Sequence, residues 1–539
     1  MSILFADADA DADGLSIQPA EKKTAALGNV RLRDHDTNEI ILIPTPSNDP
    51  NDPLNWSQAY KYYIAVLVCL AMLVCNFLAA GPTIAIVTTA HDFFPDENLR
   101  HSVNRVAYFF TTTALVQGTG NLLWVPLANK YGRRPVYLIS YALYLAAAVW
   151  LIFEKRFVGF LVGRIVLGFG AGAAESLAPI TIADVFFLHE RGAIMALYTS
   201  FLSIGVAFGI VLDGLITIHH HWRVIYQFAS ALIALVALLA FFTFPETAYS
   251  RDDRSSLETH VPRKQDTEQS DTAVQSSTPV PPRKSYIQRL RVFDGTLTDE
   301  SLIKMFFRPL GLIVLPSILW ATLVQSVTIG FLVAVTSNVA VAYSKAYGFQ
   351  PWQVGLAFIS AILGSLIGIP AGGQLGDFVA DWFTRRNGGM RTPEMRLPGV
   401  VLSLITTPLA LVLYGVSIQY KLHWIGPTIG LGLLNFSITQ ATNICLVYAI
   451  DAYRPIAGEV TLTVVGFKSL FGFLLSFYTN PWVDQVGYLS AYGTMAAIAA
   501  FVLLLWIPLY FWGDYIRRQT WQWKPISYFH WTSDREVGE

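Results

Sequence analysis

Four ionisable residues stand inside runs that are otherwise apolar: Arg164 and Glu175 in VGRIVLGFGAGAAES, Asp213 in GVAFGIVLDG and Lys468 in VVGFKSLFG. A charge inside an apolar run of spanning length is costly, so such residues face a partner or an aqueous cavity. Arg164 and Glu175 are eleven residues apart, which on a helix is close to a whole number of turns and brings them to one face. A carboxyl group and a fixed cation on one face form a candidate proton site with its counter-charge. The alternative is that Glu175 only organises the adjoining loop with Asp184, His189, Glu190 and Arg191. Asp213 is either a functional carboxylate near the outer side or an acid that pairs with the His219, His220, His221 and Arg223 cluster. Lys468 has Asp451 or Glu459 as candidate partners, with Glu459 nearer in helical register. Three consecutive histidines cannot converge easily on one ion, so no metal site is expected.

A second set of polar groups is suited to holding a small molecule. Asn435, Thr439 and Asn443 follow i, i+4, i+8, giving a polar stripe along one helix. Asn76, Gln117 and Gln325 add polar groups at comparable depth, and Trp320 and Phe331 add aromatic faces that can line a cation-accepting cavity. The same residues serve equally well as hydrogen-bonding links between helices.

The elements that must position these groups are read from the apolar runs. The chain has 539 residues, 53% hydrophobic and only 14% charged, too apolar for a wholly water-soluble protein. Six runs of spanning length cover about 61 to 244 and six more cover about 309 to 513. The chain is therefore expected to divide into an N-terminal tail (1–60), a six-helix bundle (61–245), a linker (246–307), a second six-helix bundle (308–514) and a C-terminal tail (515–539). Tail and linker are polar and rich in Ser, Thr, Pro and charge, which predicts disorder, with a short amphipathic helix around Tyr286 to Phe293. The distribution of Lys and Arg places both termini on the cytoplasmic side. A formal net charge of −1 argues against nucleic-acid binding, and no GxxxxGK[ST] loop marks an ATP-driven pump. No His, Cys or acid set clusters at one membrane depth, so enzyme chemistry is not expected.

Two loops carry the class. PLANKYGRRP joins the second and third runs with hardly a spacer, and GGQLGDFVADWFTRR occupies the same place in the second half. The first resembles the loop signature of the major facilitator superfamily, through Leu127, Ala128, Asn129, Lys130, Gly132, Arg133 and Arg134. Gly373, Asp377, Arg385 and Arg386 form its echo. Val125 stands where the signature has glycine and Asn129 where it has an acid. Arg164 with Gly168, Gly170 and Gly172 is similar to the family's fourth-helix motif, whose arginine is associated with proton coupling. Gly205, Gly209 and Gly214 follow its antiporter motif, with Ile210 in place of proline and Asp213 in place of glycine. NDPNDPLNWS, ADVFFLHERG, WRVIYQF and FPET extend the resemblance to the fungal drug:proton antiporters.

The resemblance implies an all-α membrane protein of twelve transmembrane helices in two pseudo-symmetric six-helix bundles, working by alternating access. Its partners would be protons, the lipid bilayer and a small-molecule substrate, an amphipathic drug, toxin or secondary metabolite exported across the plasma membrane. The proton gradient would be the energy source, with no cofactor, and the protein would act as a monomer. Two alternatives are uptake of a small cationic nutrient, polyamine-like or alkaloid-like, and a receptor that does not transport. The loop residues would form the inner gate, and a negative cavity around Glu175 would favour cation uptake.

Overall fold

A computed structural model describes residues 30–31, 42–249, 282–293, 295–298 and 300–523. Much of the expected N-terminal tail, residues 250–281 of the linker and residues 524–539 lie outside the described residues. The first half contains α1 (Gln58–Ala80), α2 (Leu99–Thr119), α3 (Arg133–Phe153), α4 (Phe157–Val185), α5 (Leu188–Ile216) and α6 (Arg223–Thr243). The second contains α7 (Pro316–Tyr347), α8 (Ile359–Gly372), α9 (Val401–Gln419) and α10 (Ile425–Ala452). A continuous helix then runs over Ala457–Leu504, but Gly487 has φ of +81° and ψ of 164°, which divides it into α11 (457–486) and α12 (488–504). Among the described residues ten helical stretches are long and apolar enough to cross a membrane. The break at Gly487 and the more polar α2, whose sequence LRHSVNRVAYFFTTTALVQGT dilutes its apolar residues, bring the number of spans to twelve.

The first run exceeds a bilayer crossing and is interrupted, whereas α7 stays continuous over 32 residues. Helix α1 gives way to a tight turn at Gly81–Ala85 and resumes over Ile86–Phe93. A separate helix, Leu302–Leu312, precedes α7. Within the halves α1 packs on α5, α2 and α3 on α4, α7 on α11 and α8 on α10, while α5 with α8 and α10, and α2 with α11, join the halves. The glycines of α4 make this possible. A Cβ on Gly168 or Gly172 would lie 2.6 Å or 2.4 Å from backbone oxygens of α2, and one on Gly170 would lie 2.7 Å from the Tyr144 nitrogen of α3.

Two expectations for the polar segments are corrected. Residues 42–57, assigned to a disordered tail, are folded onto the N-terminal half. Asp52 accepts from Ser47 and Leu54, Tyr249 donates to Asp49, and Leu188 N–H donates to the Ile43 carbonyl. Buried apolar contacts by Leu54 and Trp56 explain why the segment is held. At the other end a helix continues over Trp506–Trp521, and Arg517, assigned to a cytoplasmic tail, is buried and paired to Glu394 at 2.8 Å. The expected amphipathic helix is a single turn, Tyr286–Arg289, with a Ser285–Gln288 capping box.

Candidate functional site

A cavity of about 140 Å³ lies between the two halves. Its walls are mostly apolar, with Phe110, Ile329 and Leu332 among them, and its polar groups include Asn76, Gln117, Glu175, Lys468 and Asn480. It reaches from the middle of the bundle toward the end opposite the Gly132 loop.

The deepest feature of the wall is an ion pair that neither half can make alone. Lys468 Nζ of α11 donates to Glu175 Oε1 of α4, and each side chain is about 5% exposed. Buried opposite charges hold one another because leaving either alone is strongly unfavourable, on the order of 3–5 kcal/mol. Glu459, the partner expected from helical register, lies at the start of α11 and pairs instead with Arg308 at 3.3 Å. Register along one helix could not reveal a partner supplied by the opposite half.

Arg164 is fully buried but has no carboxylate within ion-pair distance among the described residues. It is held by carbonyls: Leu78 at 2.8 Å, Ala79 at 3.4 Å and Phe109 at 3.1 Å, with Tyr226 Oη at 3.5 Å. Leu78 and Ala79 end α1, where the turn at Gly81 leaves their carbonyls without helical donors. A cation at a helix C-terminus is the favourable placement. Asp213 lies across that break, with a Cβ on Gly81 only 2.2 Å from its Oδ2, and neither carboxylate oxygen has a hydrogen-bond partner among the described residues. The expected pairing with the histidine cluster is not made, since His221 and Trp222 bond Asp92 at 2.7 Å each.

The remaining candidates separate into wall and scaffold. Asn76 and Gln117 line the cavity, and bond the Met72 carbonyl at 3.0 Å and Cys75 Sγ at 3.3 Å. Asn435 accepts from Ser203, Asn443 donates to the Gly372 and Gly192 carbonyls at 2.8 and 3.3 Å, and the Thr439 carbonyl accepts from Thr199 at 3.4 Å. These three lie off the cavity wall and stitch α10 to α5 and α8. Trp320 donates to the Val502 carbonyl at 3.1 Å, Phe331 packs on Phe471 and Gln325 is buried, all three off the wall. A polar stripe in an apolar helix has the same pattern whether it faces a cavity or another helix. Asn480, which donors on α7 reach through Asn338 at 2.6 Å, was missed because its surroundings in sequence are unremarkable in charge.

At the loop end the halves are in contact. Gly132 has φ of +100°, and the amides of Arg133 and Arg134 beyond it donate to Glu246 at 2.8 and 3.1 Å. Burial raises the Glu246 carboxyl above its ordinary range, opposed by the amides of Ala248, Arg133 and Arg134 and by the Arg133 charge. Arg133 pairs with Asp184 at 3.0 Å, Arg134 donates to the carbonyls that end α6, and Lys130 reaches the Glu300 carbonyl at 3.3 Å. Asn129 lies beside Gly458, where a Cβ would come 3.6 Å from its side chain. In the second half Gly373 packs on Ala193 and Ala196 of α5, and Asp377 pairs with Arg396 at 2.7 Å and Arg391 at 3.7 Å. Arg385 and Arg386, expected in the gate, are exposed, with Arg386 stacked on Trp382 at 3.7 Å.

Two six-helix halves around a central cavity, joined across it by a buried ion pair, define a multi-pass membrane protein built for passage between its halves. Residues 64–458 match the Major Facilitator Superfamily, and the chain belongs to that family, whose members are transporters of small molecules rather than enzymes. An uncharacterized MFS-type transporter of Schizosaccharomyces pombe is 26% identical over 524 residues, covering 89% of each chain. A Saccharomyces cerevisiae protein described as "Probable drug/proton antiporter YHK8" is 25% identical over 498 residues, covering 89% of this chain and 90% of its own. The structure of the proton:xylose symporter XylE bound to 6-bromo-6-deoxy-D-glucose superposes with a TM-score of 0.58 at 16% identity, covering 84% of this chain and 96% of its own. That likeness is one of fold.

Proposed function

We propose that the protein is a proton-coupled exporter of small amphipathic organic compounds, with Glu175 and Lys468 as the groups through which proton and substrate compete. The observation that carries the reading is the buried pair itself. While Glu175 is ionised it holds Lys468 and ties α4 to α11, and protonation of Glu175 frees the ammonium for a substrate acceptor or for water. Arg164, held by the end of α1, supplies the fixed positive charge of the N-terminal half. An apolar wall with a few amide groups suits a molecule that presents one polar end. The similarity to a described drug/proton antiporter supports antiport. Uptake of a small cation called for a negative cavity, and Lys468 neutralises Glu175, so export of a compound without fixed positive charge is the better fit. The excess of Lys and Arg near the Gly132 loop supports a cytoplasmic placement of that end, with the cavity facing outward at the plasma membrane.

The test uses purified protein in vesicles with a panel of radiolabelled amphipathic compounds. Reversing the imposed pH gradient should reverse the direction of movement. Glu175→Gln should flatten the pH dependence, Arg164→Ala should abolish flux while leaving membrane expression intact, and the double exchange of Glu175→Lys with Lys468→Glu should recover part of the flux lost in either single variant. Flux that ignores the gradient in every case would overturn the reading.

A further inference from the structure

Asp213 is the one acid in the first half's interior whose carboxylate oxygens both lack a hydrogen-bond partner among the described residues, and it is fully buried. Its place is specific. Gly205 and Gly209 bring α5 against α1 so closely that a Cβ on either would lie 2.7 Å from the Leu73 or Phe77 carbonyl, and one turn further the Asp213 carboxyl fills the space beside Gly81. Gly81 opens the break in α1 whose freed carbonyls hold Arg164. The carboxyl and the guanidinium therefore flank one hinge. The carbonyl atoms of α1 between them, and not Asp213, receive the guanidinium's donors.

The charged and titratable groups facing Asp213 are few. Arg164 of α4 and Tyr226 of α6 are its electrostatic neighbours. The turn Gly81–Ala85 (GPTIA), the helix Pro351–Ala357 (PWQVGLA) and α8 (ISAILGSLIGIPAG), all against α5, carry no titratable side chain. On α10 the titratable groups, Cys445, Tyr448 and Asp451, lie beyond Asn443, which bonds Gly192 at the opposite end of α5. On α1 the nearest is Cys75, which donates to the Ala171 carbonyl. Beyond the turn, Asp92 is engaged by His221 and Trp222.

An ionised carboxylate in such a place, with no donor, is far less stable than a neutral acid. We infer that Asp213 is a second proton-binding site, occupied in this conformation, and that its proton sets the bend of α1 at Gly81. On release, the O–H bond of the acid breaks, the proton passes to water in the cavity on the other side of the hinge, where Ala79, Ala80 and Thr83 form the wall, and the electron pair stays on the carboxylate. The new anion faces Arg164 and draws the guanidinium from the Leu78 and Ala79 carbonyls, which moves the Ile86–Phe93 segment. This deepens the proton-coupled reading above and rests on it for its role in transport, while the protonation itself can be read without any substrate.

The experiment is infrared spectroscopy of the purified full chain in lipid nanodiscs, in light and heavy water, at neutral pH. The expected result is a protonated-carboxyl carbonyl band that is lost in Asp213→Asn, displaced in Asp213→Glu and retained in Glu175→Gln. Asparagine has the shape of the neutral acid, and Asp213→Glu keeps the site readable if Asp213→Asn does not fold. In parallel, spin labels on Val87→Cys and Val158→Cys, with native cysteines that are all buried, should report a distance that changes between acid and alkaline pH in the parent and is fixed in Asp213→Asn. A band that survives in Asp213→Asn, or a parent without one, overturns the inference even if vesicle flux follows the pH gradient. Loss of the band in Asp213→Asn with flux indifferent to pH leaves the proton site standing and removes the coupling reading instead.

Discussion

The segment after the second helix of each half, helical over Asn121–Tyr131 and Gln374–Arg386, reaches across to the first turn of a helix in the other half, but the two make different contacts there. Asn129 meets Gly458 at the start of α11, and Asp377 meets Gly192 at the start of α5. The first contact is neutral. The second sets a carboxylate against the positive end of a helix, a placement worth typically 0.3–1 kcal/mol and up to about 2 kcal/mol when partly buried. Around them the charges are also spent differently. In the first half Arg133 and Arg134 are committed inside their own half, to Asp184 and to the end of α6. In the second half Asp377, held by Arg396 and Arg391, touches the opposite half. One loop braces its bundle and the other fastens the two bundles together.

The comparison is broken most readily by removing one charge from each loop. Arg133→Ala leaves Asp184 buried and without its main cation, a loss of about 3–5 kcal/mol, seen as a marked drop in thermal unfolding temperature with little change in the balance between open and closed loop ends. Asp377→Asn should also lower stability, because it leaves the buried Arg396 without its carboxylate, but unlike Arg133→Ala it should shift that balance toward the open form by roughly 1–2 kcal/mol, about a tenfold change in a spin-label distance population. If both variants shift the open–closed balance equally, the two loops do not divide the work as argued.

The paired glycines sharpen it. A Cβ at Gly192 would sit 2.2 Å from an Asp377 oxygen, whereas one at Gly458 would sit 3.5 Å from Ile180 and 3.6 Å from Asn129. Gly192→Ala should therefore weaken closure severely, and Gly458→Ala should leave the closed population within about twofold, since ordinary surface-type changes stay within roughly 0.5 kcal/mol. Equal effects would mean that the cross-half contact at Asp377 is not the tighter one. Asn129→Asp should give the first loop the same helix-end attraction as the second, strengthening closure by about 0.3–1 kcal/mol, read as a two- to fivefold rise in the closed population.

How much of this was legible in sequence depends on what each residue's pattern reports. Hydrophobic runs gave twelve spans because apolar length has one main cause, and α2 was found despite its dilution because its neighbours framed it. The loop signature drew attention to Arg133, Arg134 and Asp377, of which Asp377 touches the opposite half while the two arginines are held inside their own. The Glu175–Lys468 pair was not legible, since the two residues belong to helices 293 positions apart in sequence and only the docking of the halves brings them together. Asn435, Thr439 and Asn443 gave a correct polar stripe, and its direction was the part that a single helix cannot encode. Arg517 looked like a tail cation because its partner Glu394 lies 123 residues away.

The smallest effect concerns the acid that links the first loop to the end of α6. Burial holds Glu246 above the ordinary carboxylate range of about 4.5, and the amides of Ala248, Arg133 and Arg134 only partly offset this. In the folded protein it therefore keeps its proton to higher pH than in the unfolded chain. Its contribution to stability is complete below the unfolded value and is lost as pH rises through the folded one. Thermal unfolding of the parent should decline slightly across that window, by under roughly 2 °C for a chain of this size, and Glu246→Gln should remove the slope. A pH dependence that persisted unchanged in Glu246→Gln would overturn this assignment.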